Sequence, residues 1–154
     1  MIVYRLARGK YAKDLSGTGA SLFGYRWNSK GIEVVYTASS RALAMAEVWV
    51  HLPVTLIPED YVMLEIEIPD SVKVEELDVS RLSGDWNDFP HRDETKELGD
   101  EFFRSGRGCV LKVPSAVVKG DSNFLINPKH PDMKLIKIVG IMGFPFDKRM
   151  LKNY

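Results

Sequence analysis

The sequence is poor in residues that form cross-links or bind metals. Its 154 residues include one cysteine and three histidines. A single cysteine excludes an internal disulfide and is typical of a reducing compartment. Cys109 lies in an apolar run, which favours a place in the core. The histidines, His51, His91 and His130, show no HxxxH spacing and no CxxC motif exists, so we expect no metal site.

Long apolar runs and secretion signals are also missing. No segment approaches the roughly 20 apolar residues that cross a bilayer. The first residues, MIVYRLARGKY, lack a basic n-region, a long apolar stretch and a small-residue cleavage site. The length suits one domain. We therefore expect a cytoplasmic single-domain protein, residues 1–154, with no membrane contact.

The chain has no net charge, because 21 basic residues balance 21 acidic ones, but the charges are distributed unevenly. Residues 1–51 carry 7 basic and 3 acidic residues, residues 52–105 carry 5 and 15, and residues 106–154 carry 9 and 3. The basic residues form no run interleaved with aromatics, so direct nucleic-acid binding is not expected. We expect the two basic ends to converge on a small anionic ligand, while the acidic middle is solvated or faces a basic partner.

Short apolar segments and period-two alternation predict six strands, and two further segments predict helices. The strands are predicted at residues 1–6, 33–37, 61–68, 72–77, 109–113 and 135–142, and the helices at 41–51 and 93–105. Gly106 is expected to end the second helix, because glycine readily takes the left-handed conformation found there. Strands outnumber helices, so the sequence predicts an α+β domain.

The helix predicted at residues 41–51 contains one isolated carboxylate. Every position from 42 to 50 is apolar except Glu47, and a helix that is apolar on all sides is normally buried. A buried carboxylate needs a cationic partner or a shifted pKa. Two interpretations stay open for Glu47, namely a structural salt bridge to Arg26 or Arg5, or a functional site.

A glycine-rich loop precedes this helix. Four glycines fall within residues 17–31, and glycine lets a backbone approach a ligand closely. Arg26 lies between Tyr25 and Trp27, and a guanidinium offers forked donors to anions and stacks on rings. The loop therefore indicates an anionic or aromatic ligand, with an ordinary surface loop as the alternative. We expect Arg26, Tyr36 and Glu47 to meet in one pocket.

A second polar loop is predicted at residues 120–132, where the sequence reads GDSNFLINPKHPD. Ser122 and Asn123 could bind a ligand there. The alternative is that these side chains only make turn bonds to their own backbone.

These motifs together resemble the RES-domain proteins, which are toxins of bacterial toxin–antitoxin systems with an Xre-like antitoxin. The resemblance covers nearly the whole chain and rests on Tyr4-Arg5, SGTGA, YRWN, VVYTASSRALAMAE, VPSAVV and SNFLINPKHP. It implies a fold like that of ADP-ribosyltransferases of the diphtheria-toxin type, with a split β-sheet core and flanking helices. The sequence departs from the usual pattern at Tyr25, where the family has a second glycine before the arginine.

The resemblance also implies NAD+ as substrate, no prosthetic group, and roles for named residues. Arg26, Tyr36 and Glu47 match the family arginine, tyrosine and glutamate. Glu47 is then expected to stabilise an oxocarbenium-like state as nicotinamide leaves. Tyr36 is expected to stack on nicotinamide, and Arg26 to bind the pyrophosphate or an attacking phosphate.

Three further residues are expected to bind the substrate. Arg5 would be a second anion contact, and Ser122, which matches the family serine, would act with Asn123 on the ribose or phosphate. The acceptor stays open, with phosphate ranked before water and a protein side chain as a third choice. The resemblance implies an antitoxin that blocks the pocket. The competing interpretation is a non-enzymatic nucleotide-binding module.

Overall fold

The computed structural model describes residues 1–53 and 57–151. The strands in these ranges are β1 (Ile2–Arg8), β2 (Val35–Ala38), β3 (Tyr61–Glu67), β4 (Val74–Glu76), β5 (Val110–Pro114), β6 (Ser122–Ile126) and β7 (Lys137–Gly143). The α-helices are α1 (Thr18–Phe23), α2 (Arg41–Trp49) and α3 (Asp93–Ser105). Short 3-10 helices lie at Gly9–Tyr11, Val79–Arg81, Pro131–Leu135 and Lys148–Leu151.

All these strands join one sheet in the order β4-β5-β6-β2-β1-β3-β7. The β4 and β5 strands are parallel, and every other neighbouring pair is antiparallel. With helices packed on this sheet, the predicted α+β class is confirmed. Within the described ranges, no helix combines the length and apolarity needed to cross a bilayer.

Most elements lie where the sequence predicts them. The six predicted strands correspond to β1 to β5 and β7, and the two predicted helices to α2 and α3. Gly106 follows α3 in the left-handed conformation with φ of 60°, as expected. Ser40 caps α2, because its side chain accepts a hydrogen bond from the amide of Leu43 at 3.1 Å.

Two elements lie where the sequence predicts loops. Residues 123–126 of β6 are all buried, because β6 lies between β5 and β2 and is covered on both faces. Such a strand lacks the polar and apolar alternation that identifies a half-buried one. The α1 helix has six residues and begins after Gly17, whose φ is 71°. A side chain there would meet the amide nitrogen of Val34 at 2.6 Å, so this turn requires glycine.

The sheet is almost divided at its centre. β1 pairs with β3 along all seven residues, but with β2 only through Tyr4 and Ala38. One half of the sheet is therefore β3 and β7 with β1, and the other is β2 with β6, β5 and β4. The sequence resemblance predicts a split β-sheet core, and the split lies at this narrow junction between β1 and β2.

The apolar core is divided on one face of the sheet and continuous on the other. On the continuous face, one cluster spans both halves and includes Val3 and Val35. On the divided face there are two clusters, one in which Phe102 of α3 packs with Leu125 and another that contains Leu43 of α2. A cleft opens between these two clusters.

The α2 helix is only partly buried, so the expectation of a buried helix is wrong. Leu43 and Ala44 are its buried residues, and Ala42 is exposed. The reason is that α2 forms a wall of the cleft, which Glu47 and Val48 line. The sequence does not distinguish apolar side chains that line a cleft from apolar side chains that pack into a core, so the pattern of α2 predicted burial.

Candidate active site

The cleft between the two halves of the sheet has a volume of about 860 Å³. This lies within the range of small-molecule pockets, which are about 300–1,000 Å³. Five of the six residues that the sequence nominates for the site line it, namely Arg5, Arg26, Tyr36, Glu47 and Asn123. The sixth, Ser122, does not.

Glu47 is held by neutral donors. Its Oε1 accepts hydrogen bonds from the hydroxyl of Ser115 at 2.8 Å and from the amide nitrogen of Asn123 at 2.9 Å. No side chain or amide of the described residues donates to Oε2. The carboxylate is therefore fixed in direction while one of its oxygens stays unoccupied.

The hydroxyl of Ser115 is oriented so that its proton is directed at Glu47. Its oxygen accepts hydrogen bonds from the backbone amides of Val117 at 3.1 Å and Val118 at 3.0 Å. Those two bonds use the acceptor capacity of a hydroxyl, so its proton points at Glu47. Ser115 is 5% exposed, which keeps this arrangement out of bulk water.

Asn123 has an unused acceptor. Asn123 is 9% exposed, and its amide nitrogen donates to Glu47. This bond fixes the orientation of the amide, because a carboxylate can only accept. Its Oδ1 is buried and has no hydrogen-bond partner among the described residues. A buried unpaired acceptor costs about 1–3 kcal/mol, and a donor on a bound ligand would recover this cost.

Arg26 is held by main-chain carbonyls rather than by a carboxylate. Its guanidinium donates to the carbonyl oxygens of Trp86 at 2.7 Å, Asn87 at 3.3 Å and Asp88 at 3.2 Å. It also lies 5.8 Å from the centre of the Trp86 ring. Burial lowers the pKa of Arg26, and the nearby charge of Glu47 opposes that shift. Of the five donors of a guanidinium, two stay available to a ligand.

Arg5 is the more deeply buried cation of the cleft. It donates to the carbonyl oxygen of Asp14 at 2.5 Å. Burial lowers its pKa, and the charge of Asp14 partly offsets this. Since a buried guanidinium with one carbonyl partner is poorly compensated, Arg5 gives the cleft an attraction for anions.

Tyr36 lines the cleft with its ring and uses its hydroxyl elsewhere. The hydroxyl donates to Oδ1 of Asn28 at 2.7 Å and accepts from the backbone amide of Trp27 at 3.2 Å. The ring meets that of Tyr25 edge to face, with centres 5.8 Å apart. Burial raises the pKa of Tyr36 well above its ordinary value, so the hydroxyl stays protonated.

The structural salt bridge considered for Glu47 does not form. Among the described residues, Glu47 has no cation within salt-bridge distance, and Arg26 and Arg5 both use backbone acceptors. The sequence shows three charged residues that could pair, but not that each has other hydrogen-bond partners. The cleft therefore contains charges of both signs that form no direct ion pair with one another.

Ser122 lies on the other face of the sheet from Asn123. Successive side chains of a strand point to opposite faces, so only one of the two can enter the cleft. Ser122 instead lines a small depression of about 70 Å³ with Glu76 and Lys112. The serine that contacts Glu47 is Ser115, which sequence reasoning missed although it belongs to the quoted VPSAVV motif.

The segment 82–92 forms the remaining wall and was not nominated from sequence. Asn87, Phe89 and His91 line the cleft there. His91 has a buried Nδ1 with no hydrogen-bond partner among the described residues. Burial lowers the pKa of His91, and the charges of Arg26, His51 and Lys96 lower it further. Across residues 1–53 and 57–151, no three His, Cys, Asp or Glu side chains are grouped to hold a metal ion.

Comparison with known proteins finds one family model and several relatives that match nearly the whole chain. The family model described as RES domain matches residues 2–147. Toxin Res of Photorhabdus laumondii is 40% identical over 154 residues, covering 99% of this chain and 98% of that protein. The Prs ADP-ribosylating toxin of a Sphingobium species is 40% identical over 149 residues, covering 96% of this chain and 92% of that protein.

A solved structure has the same fold. It is the MbcT–MbcA toxin–antitoxin complex of M. tuberculosis, in which one chain matches with a TM-score of 0.76. The match covers 94% of this chain and 84% of that chain at 21% identity. With the family model matching residues 2–147 and relatives at 40% identity over nearly the full length, the chain belongs to the RES domain family.

Proposed function

We propose that this protein is the toxin of a toxin–antitoxin system and that it cleaves the bond between nicotinamide and ribose in NAD+. The observation that supports this most directly is Glu47, held by Ser115 and Asn123 with one oxygen free in a large cleft. Family membership and the toxin names of the relatives support the same conclusion.

The cleft suits a transition state with positive charge on the sugar. As nicotinamide departs neutral, charge moves from the pyridinium ring to the ribose, and the carboxylate of Glu47 stabilises it. Two neutral donors on Oε1 fix the carboxylate without neutralising it. The unpaired Oδ1 of Asn123 accepts a hydrogen bond from a ribose hydroxyl, and the ring of Tyr36 forms an aromatic platform for nicotinamide.

The two arginines bind the anionic parts of the reactants. The pyrophosphate of NAD+ contacts the free donors of Arg26, and Arg5 supplies a second contact. Inorganic phosphate as acceptor would yield ADP-ribose 1''-phosphate and nicotinamide, and water would yield ADP-ribose, nicotinamide and a proton. The two arginines of the cleft favour phosphate over water, because they attract an anionic acceptor.

An Xre-like antitoxin is the proposed protein partner. It would stop the reaction by covering the cleft, which is open to solvent in the isolated chain. The solved relative is itself a toxin–antitoxin complex, and this supports a partner of that kind.

Modification of a protein is the second candidate function. One relative at 40% identity is named a Prs ADP-ribosylating toxin. The same cleavage of NAD+ would then end with transfer of ADP-ribose to a side chain of the target. Phe89 at the cleft is 80% exposed and offers an apolar contact to such a target.

The test is NAD+ consumption by the purified chain with and without phosphate, with products identified by mass spectrometry. Wild type should release nicotinamide, and Glu47→Gln and Arg26→Ala should release it far more slowly. Glu97→Gln, at an exposed residue of α3, is the matched control for loss of a carboxylate and should retain wild-type turnover. Absence of NAD+ consumption by folded wild type, free of any inhibitor protein, would contradict the proposal.

The fate of ADP-ribose separates the candidates. A product heavier than ADP-ribose by one phosphoryl group identifies phosphate as acceptor. ADP-ribose in both buffers identifies water. Label from NAD+ that is retained on protein in a cell extract, with little free product, identifies a protein acceptor.

A further inference from the structure

The guanidinium of Arg26 is presented by a tight turn of residues 25–28. The backbone amide of Tyr25 closes this turn by donating to the carbonyl of Asn28 at 3.0 Å and to its Oδ1 at 3.2 Å. Arg26 and Trp27 are the two central residues. The direction of the Arg26 side chain therefore depends on the geometry of the turn.

Asn28 fixes the turn from inside. It is fully buried, and its nitrogen donates to the carbonyl oxygens of Ala20 at 2.9 Å, Ser29 at 3.1 Å and Ile32 at 3.0 Å. Because a carbonyl oxygen can only accept, the nitrogen of the amide, and not its oxygen, faces these three carbonyls. Its Oδ1 consequently points toward the hydroxyl of Tyr36.

The Tyr36 hydroxyl makes two bonds to this turn. An amide oxygen only accepts, so the hydroxyl donates to Asn28, at 2.7 Å. Its oxygen then accepts from the backbone amide of Trp27 at 3.2 Å. The hydroxyl oxygen of Tyr36 therefore bonds both to Trp27, which follows Arg26, and to Asn28, which closes the turn.

The α3 helix supports the turn from the other side. A side chain at Gly99 would meet the carbonyl oxygen of Trp27 at 1.8 Å, so the helix lies directly against the turn. Asp100, which is 6% exposed, accepts from the backbone amide of Ser29 at 2.9 Å. The turn is clamped between the helix and Tyr36.

We propose that the hydroxyl of Tyr36 is a positioning group that acts through the turn of residues 25–28 on Arg26. The ring and the hydroxyl of this one side chain then have separate roles. The ring lines the cleft, and the hydroxyl aims the guanidinium. The identity of the ligand rests on the proposed function, but the coupling of Tyr36 to the turn does not.

Tyr36→Phe separates the two roles, because it keeps the ring and removes the hydroxyl. NAD+ binding is measured by calorimetry in a Glu47→Gln background, in which turnover is slow enough for binding to be observed. Tyr36→Phe removes both hydrogen bonds of the hydroxyl to the turn and should weaken binding about threefold to tenfold, because only part of that loss reaches Arg26. Tyr11→Phe, at an exposed tyrosine outside the cleft lining, controls for loss of a hydroxyl and should bind like the parent.

A double-mutant cycle shows whether Tyr36 acts through Arg26. If it does, Tyr36→Phe should weaken binding in the presence of Arg26 and cause no further loss in Arg26→Ala. Arg26→Lys replaces Arg26→Ala if binding is too weak to measure. An equal loss in both backgrounds would overturn the proposal, because the hydroxyl would then contact the ligand directly.

Hydrogen exchange without any ligand tests the positioning role independently of NAD+. Tyr36→Phe should speed exchange at residues 25–29 and, through Arg26, at residues 86–88, while exchange in β3 stays unchanged. Unaltered exchange in both segments would overturn the proposal. Absence of NAD+ binding by the Glu47→Gln parent would contradict the proposed function alone, and exchange would still decide the role of Tyr36.

Discussion

Glu47 and Arg26 lie in the same cleft but are held in different ways. Glu47 is fixed by two side chains, Ser115, which directly follows β5, and Asn123 of β6. Arg26 is fixed by the backbone carbonyls of residues 86–88. The difference teaches that both side chains are held in place without a direct ion pair. It also teaches that a point mutation can remove a direct support of Glu47, whereas Arg26 can be reached only indirectly, through the turn that carries it.

Removal of the charge at Glu47 should have the largest effect. Glu47→Gln keeps an oxygen that accepts from Ser115 and Asn123, so the fold should persist. The rate of NAD+ cleavage should fall by about a hundredfold to a thousandfold or more, as for loss of one preorganised electrostatic group. Turnover is measured as nicotinamide release, with circular dichroism to verify folding. Comparable activity in the folded variant would place the essential charge elsewhere.

Crowding of the Arg26 side should cost stability. Gly99→Ala puts a methyl group 1.8 Å from the carbonyl oxygen of Trp27, and overpacking of this kind costs about 1–3 kcal/mol. This exceeds the gain of about 1 kcal/mol from better helix propensity. Urea unfolding should show a lower midpoint. Gly84→Ala is the control, because nothing lies within 4 Å of its added methyl group. An equal loss of stability in the two variants would contradict this prediction.

Weakening the support of Glu47 should have a moderate effect. Ser115→Ala removes a hydrogen bond to a charged group, which is worth about 1.5–3 kcal/mol, and should lower kcat by about tenfold or more. Ser122→Ala, on the other face of the sheet, should lower it less. Steady-state kinetics on both variants measure this contrast. The reverse order would favour the role that the family resemblance gives Ser122.

The smallest expected effect is a pH dependence on the Arg26 side. The pKa of His91 is lowered from 6.5 in the folded chain, first by burial and then by Arg26, His51 and Lys96. Because the unfolded chain binds this proton more readily, stability is present above about pH 6.5 and is lost as the pH falls below it. His91→Gln should therefore lose less stability between about pH 7.5 and about pH 5.5. Urea midpoints measure this, and identical slopes would contradict it.

Local sequence patterns predict much of the fold but not the contacts of the site. Strands such as β3 and the capped helix α2 follow from alternation and apolar runs within a few residues. β6 was missed because a strand buried on both faces, beginning with Ser122 and Asn123, has no wet face to reveal it. The short helix α1 contains Gly19 and is stabilised by packing rather than by propensity.

The site was predicted as a set of residues rather than as a set of contacts. The chain places Arg5, Arg26 and Glu47 in one cleft, as the motifs indicate, yet none pairs with another. Ser115 and Asn123 reach Glu47 across long separations in sequence, and no local pattern encodes such a contact. The one signal for Ser115 was its place in a motif shared with the family.

Glu47 and its two supports lie far apart along the chain. Ser115 and Asn123 follow Glu47 by 68 and 76 residues. Glu47 is therefore synthesised well before the two side chains that hold it. A product that ends before β5 would contain every charged residue of the cleft but neither support of Glu47, so under the proposed function it should not cleave NAD+.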